Sequence, residues 1–167
     1  MDLAPGLWNC RIDTTQAEVA ILNLVINARD ALKGHTNQRV LLSTRNVEVS
    51  RGAASSDLEH LPAGRLVCIS VQDNGSGMSP DIVRRVMDPF FTTKEEGEGT
   101  GLGLSMVYGF VKQSGGTVRI ASEPGAGTTV SLYFPATNDA LTKDGDNPNL
   151  YCLSDGERVH AACQVSR

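Results

Sequence analysis

Aromatic residues are scarce in this chain, with one Trp, three Tyr and four Phe making up 5% of 167 residues. With few stacking platforms and no long basic stretch, against a net charge of −4, nucleic-acid binding has little to rest on. No apolar run approaches the roughly 20 residues a membrane-spanning helix needs. The first ten residues, MDLAPGLWNC, carry neither the basic nor the apolar region of a secretory leader. The four cysteines (Cys10, Cys68, Cys152 and Cys163) are far apart and form no CxxC pair. Two readings stay open for them, reduced thiols or a disulfide pair. The composition predicts a cytoplasmic globular chain of one domain, with or without a tail.

Glycine, by contrast, is concentrated in two places. DNGSGM holds Gly75 and Gly77, GEGTGLGLS holds Gly97, Gly99, Gly101 and Gly103, and DPFFTTK (88–94) lies between them. Glycine gives up backbone entropy and offers no side chain. Its concentration therefore implies positive φ angles or close approach of the backbone to another group.

Periodicity and breakers divide the rest. Residues 1–12 read as an irregular lead-in, because Pro5 and Gly6 oppose helix. Asp13 and Thr15 are both N-cap candidates for a helix running to Lys33, with Gly34 placed to end it. That helix is apolar over most of its circumference and is expected to be largely buried. Strands follow at 39–50 and 65–73, joined by a loop over 51–64. Ser79 and Pro80 suit the cap and first position of a short helix. After the polar lid-like stretch, Gly101 opens a further helix that Gly115 and Gly116 stop. Strands TVRIAS and TTVSLYF, joined by EPGAG, complete the ordered part. Beyond Pro135 the pattern dissolves, and 137–167 is expected to be an irregular or disordered tail. Strands gathered into one sheet with helices on one face predict an α+β, two-layer sandwich.

Four groups of residues carry chemistry. Asn23 and Asn27 are one helical turn apart, with Asp30 a turn further. Their alternatives are a solvent-facing polar stripe or amide oxygens offered to a hard cation such as Mg²⁺. Asp73 ends an apolar strand just before NGSG, as the first residue of a tight turn or as an acceptor for an exocyclic amine. The glycines at 97–103 lead into a helix whose first N–H groups and positive dipole end suit phosphate, although neither a GxGxxG in register nor a GK[ST] is present. In the segment between the clusters, Phe90 and Phe91 offer anchors to a mobile polar loop and Lys94 a cation for phosphate.

The ordered set NLVINARDAL, DNGSGM, DPFFTTK, GTGLGLS and PGAGTTVSLYF resembles the catalytic ATP-binding domain of bacterial sensor histidine kinases, within the wider Bergerat-fold ATPase group. The resemblance covers roughly residues 8–135. It implies a mixed β-sheet with helices on one face and an ATP-binding unit at 13–136, preceded by a linker from an upstream domain. It also implies Mg²⁺ on Asn27, with Asn23 near the metal, and adenine on Asp73 with Gly75 and Gly77 shaping its pocket and Thr128 close by. Phosphates would lie on the loop Gly99, Thr100, Gly101, Leu102 and Gly103, with Phe90, Phe91 and Lys94 in the lid.

Two departures limit the carry-over. Asp30 stands where many such kinases have a basic residue. Asn23 stands where hydrolytic relatives have a water-activating Glu, and an amide is no general base. Phosphoryl transfer to a protein is therefore expected rather than rapid hydrolysis. The family's acceptor is a histidine on a separate helical-hairpin domain, which dimerises and hands the phosphoryl group to a response regulator. His35, His60 and His160 sit in a turn, a loop and the tail, so none of them reads as that acceptor. An anti-sigma-type serine/threonine kinase and a nucleotide-sensing module without transfer activity are the alternatives.

Overall fold

A computed structural model of the chain describes residues 1–50, 61–94, 99–138 and the backbone of 150–151. The elements are β1 (Asp2–Leu3), β2 (Ile12–Asp13), α1 (Thr14–Ala31), β3 (Val40–Val49), β4 (Gly64–Asp73), α2 (Pro80–Arg85), α3 (Gly103–Gln113), β5 (Thr117–Glu123), β6 (Gly127–Pro135) and β7 (Leu150–Tyr151). Five strands form one sheet in the order β1-β3-β4-β6-β5. Its four long strands are antiparallel, and the parallel pairing of β1 with β3 makes the sheet mixed. The expected α+β sandwich is the observed fold.

Local chemistry fixes the element ends. Asp13, rather than Thr15, caps α1, its Oδ1 accepting the Gln16 N–H at 2.9 Å. A carboxylate there satisfies a first-turn donor and the positive end of the helix dipole. Ser79 caps α2 with Pro80 at the first helical position. α3 begins at Gly103, not at Gly101 as the sequence suggests. Gly101 has φ +65°, which a right-handed helix does not admit.

Side chains alternate across the sheet. Val67, Ile69 and Val71 of β4 face the helices together with Val130, Leu132 and Phe134 of β6. Ala17, Ala20, Ile21, Leu24 and Ala28 of α1 meet them, joined by Val107, Phe110 and Val111 of α3. Each larger buried side chain contributes about 1.5–3 kcal/mol. The three alanines let α1 lie close to the strands. α1 is less buried than its composition suggests, since Val19 and Leu22 are 44% and 42% exposed. It lies on a sheet rather than inside a bundle, so only one face is covered. The opposite sheet face carries a smaller cluster of Val49, Leu61, Leu66, Cys68 and Tyr133. On that face Ser70 and Ser131 hydrogen bond across β4 and β6 at 3.0 Å.

The N-terminal segment is irregular apart from β1, yet it is packed onto the sheet. The Ala4 N–H donates to Thr44, the Trp8 N–H donates to Asn46 Oδ1 at 2.9 Å, and the Asn46 amide returns a bond to the Gly6 carbonyl. Cys10 and Ile12 lie in the main core. A two-residue parallel strand next to Pro5 and Gly6 has no period to announce it. Within the stretch read as an irregular tail, β7 pairs antiparallel with β2. The remainder of 139–167, with Cys152, His160 and Cys163, lies outside the described residues, as do His60 and most of the 51–64 loop. Cys10 and Cys68 are buried.

Candidate functional site

α1 is the spine on which both glycine clusters converge. On one side the Ser76 N–H donates to the Ala31 carbonyl at 3.0 Å, and a Cβ on Gly75 would overlap that same carbonyl. On the other side Gly103 opens α3 beside the asparagines. Its Cβ position lies 3.7 Å from Asn23 Oδ1 and 3.8 Å from Asn27 Nδ2.

The first wall is interlocked. Asp73 is buried at the end of β4, and its Oδ1 accepts the N–H groups of Gly75 (2.9 Å) and Thr128 (3.2 Å). Both bonds fall on one oxygen, which leaves Oδ2 unengaged among the described residues. Gly77 has φ +65°, and a Cβ there would overlap the Glu123 carbonyl; Gly127, at φ +94°, lies equally tight against the backbone of Asp73. Ser122, which the sequence reading missed, joins the pieces. Its Oγ accepts the Met78 N–H at 2.8 Å, lies 3.1 Å from the Gly127 carbonyl and shares a 2.8 Å bond with Thr128 Oγ1. A serine inside an alternating strand gives no signal of this in sequence. An open depression of about 680 Å³ reaches Asp73 and Thr128 between Pro80, Val83 and Arg84 of α2 and Ile120 and Ser122 of β5.

The second wall is more loosely built. Asn23 and Asn27 are partly buried, and among the described residues their side-chain amides make no hydrogen bond. α3 starts at Leu102 without a side-chain cap, so its first-turn N–H groups are available beside those amides. The lid base is closed by the Phe90 N–H donating to the Gly101 carbonyl at 3.0 Å, and Gly101 presses so close to the Phe90 backbone that no Cβ fits. Phe91 stacks under the Arg85 guanidinium at 4.5 Å. Phe90 anchors through its backbone, at φ 67°, while its ring is 74% exposed. Thr100 Oγ1 accepts the Leu102 N–H at 3.4 Å. Gly99 sits against Thr92 and the Lys94 side chain, each 3.0 Å from its Cβ position. Lys94 Nζ donates to Asp30 Oδ2 at 2.6 Å. That hydrogen bond holds the Asp30 carboxyl below its ordinary 3.8, against a smaller upward push from burial. His35 lies in the turn after α1, its N–H bonded to the Leu32 carbonyl.

These residues suit a nucleotide chemically. Oδ2 of Asp73 is a free acceptor in a rigid frame, and two unbonded amides face an uncapped helix start. Among the described residues no three His, Cys, Asp or Glu side chains cluster to hold a metal. No helix among the described residues is long and apolar enough to cross a membrane.

The fold is that of an ATP-binding ATPase or kinase domain. The chain belongs to the family described as histidine kinase-, DNA gyrase B- and HSP90-like ATPase, which matches residues 12–138. Over 135 residues it is 42% identical to the sensor kinase CckA of Brucella abortus (strain 2308), covering 81% of this chain and 14% of that protein. Over 123 residues it is 37% identical to the sensor histidine kinase ZraS of Escherichia coli (strain K12), covering 74% of this chain and 22% of that protein. The chain thus spans less than a quarter of either relative. Among solved structures it is similar to full-length ShkA in complex with AMPPNP (TM-score 0.58, 27% identity, 83% of this chain, 26% of that one). It also shares its fold with the mycobacterial sensor histidine kinase MprB (TM-score 0.60, 22% identity, 81% of this chain, 80% of that one).

Proposed function

We propose that this chain is the catalytic part of a two-component sensor histidine kinase. It binds Mg·ATP and donates the γ-phosphoryl group to a histidine on a separate helical-hairpin domain, which in turn serves a response regulator in the cytoplasm. The observation that carries the reading is the pair of unbonded amides, Asn23 and Asn27, facing the uncapped start of α3 at Gly103. The adenine amine would donate to Asp73 Oδ2, with Gly75, Gly77 and Thr128 shaping the surround. The phosphates would lie against the N–H groups of residues 99–103.

Asn27, assisted by Asn23, would hold Mg²⁺, which neutralises charge on the phosphate oxygens. Lys94 supplies a second positive charge from the lid. The chain's own work is positioning and charge placement, since the attacking nitrogen comes from the partner. Asn23 offers no base to activate water, which favours transfer over hydrolysis. Phe90, Met106 and Tyr108 are exposed beside or within the first turns of α3 and give apolar area for the hairpin. In this reading residues 13–136 are the ATP-binding unit and 1–12 the connection from the hairpin.

Incubation with labelled ATP, a histidine hairpin and a serine-bearing partner tests the reading. Acid-labile label on the hairpin is expected. Acid-stable label would assign a serine kinase, and nucleotide binding without label a sensing module.

A further inference from the structure

Asp30 departs from the basic residue expected at its position, and the structure gives it a partner 64 positions away. Its Oδ2 takes the Lys94 ammonium at 2.6 Å, while its Oδ1 takes Nε and Nη2 of Arg29 at 3.3 and 3.1 Å. The Asp30 side chain is 14% exposed and Lys94 30%, whereas Arg29 is 71% exposed. The lysine is held along its length as well. Its stem lies against Gly99, and its backbone N–H bonds to Thr92 Oγ1 at 3.2 Å.

We propose that Asp30 is a positioning residue for nucleotide binding: it fixes the Lys94 ammonium one helical turn from Asn27, so that a phosphate group meets a cation already in place. The inference rests on the nucleotide reading above. An ammonium has three donors, so one can serve Asp30 while two remain for phosphate oxygens. A lysine loses substantial rotamer freedom when it is immobilised on a ligand, and a lysine already tethered loses less. The second cation, Arg29, offsets the charge of Asp30, so the carboxylate does not present net negative charge to the phosphates. The lysine that replaces a basic residue on α1 therefore comes from the lid, with Asp30 as its mount.

Titration of the 167-residue chain with magnesium and the imido analogue of ATP, alongside adenosine, tests this. Asp30→Asn is expected to weaken the analogue by about 5–10-fold and leave adenosine unchanged, with Asp30→Glu restoring most of the loss. In a Lys94→Gln background, Asp30→Asn should have no further effect. Analogue binding by Asp30→Asn as tight as, or tighter than, that of the unaltered chain overturns the proposal. So does a loss that persists when Lys94 is already Gln. If Lys94→Gln itself binds normally, the phosphate role of Lys94 fails and takes the role of Asp30 with it. If the unaltered chain binds no analogue at all, the nucleotide reading fails at its base. Circular dichroism of each variant separates these outcomes from loss of fold.

Discussion

The Asp73 end of the site and the Lys94 end differ in what holds them among the described residues. Around Asp73, two backbone donors share one carboxylate oxygen, Ser122 ties Met78 to the start of β6, and Gly77 and Gly127 fit only because they lack a Cβ. Around Lys94, among the described residues, the Phe90 N–H bonds to the Gly101 carbonyl, a cation–π contact holds Phe91, and the ion pair with Asp30 joins the segment to α1. The glycines differ in part. Gly77 and Gly127 are required by space and by φ; at the other end Gly101 is too, whereas Gly103 has ordinary room at its Cβ position. A flat ring is recognised by fixed shape and needs the rigid end. A polyphosphate with its metal changes charge and geometry during transfer, and the adjustable end suits it.

The sharpest way to break this contrast is Gly77→Ala. A positive φ combined with overlap onto the Glu123 carbonyl should cost at least about 2–3 kcal/mol of stability, read as a lowered urea midpoint. Asp73→Asn comes next. The amide oxygen can still accept from Gly75 and Thr128, so the fold should survive. The amide N–H₂ would then oppose the adenine amine, and ATP affinity should fall by about 1.5–3 kcal/mol or more in calorimetric titration; retained affinity would sink the adenine assignment. Gly103→Ala should act in the opposite sense on stability, which stays level or rises by up to about 1 kcal/mol. ATP binding should nevertheless weaken several-fold, because the added methyl group takes up space beside the two asparagine amides that the proposed phosphates and metal would occupy. A stability loss like that of Gly77→Ala would erase the distinction between the two ends.

The smallest effect is that of pH on the lid contact. The hydrogen bond from Lys94 lowers the Asp30 carboxyl in the folded chain. Its contribution is therefore fully present above the unfolded value of about 3.9 and is lost as pH falls through the lower folded value. The difference in unfolding free energy between the unaltered chain and Asp30→Asn should be flat from pH 7 to 5 and shrink only below about pH 4. It should not exceed about 1 kcal/mol.

Much of this architecture was legible because caps and breakers are local. Asp13, Ser79, Gly34 and Gly115 act on their own neighbours, and the alternation in 65–73 and 128–134 reports which face is covered. What was hidden depends on partners distant in sequence. Nothing near Asp30 points to Lys94, and nothing near Ser122 points to Met78. β1 is too short to have a period, and its pairing depends on Thr44 and Asn46. The exposure of Val19 and Leu22 follows from the one-sided contact of α1 with the sheet, which composition alone does not report. Gly75, Gly77 and Gly101 are places of close backbone approach, as the two clusters implied, whereas Gly103 has ordinary room and Gly97 lies outside the described residues. The meeting of the two clusters on a single helix belongs to the tertiary structure.

That meeting sets a length. Ala31 lies eight positions after Asn23 along α1, about 12 Å of rise. The helix therefore works as a ruler between the two walls, with its hydrogen-bonded backbone as the scale. One residue inserted between Asn27 and Asp30 would turn the two marks about 100° apart and leave each wall intact but facing a different direction. On the function proposed above, the span of the bound nucleotide would be set by the pitch of one helix.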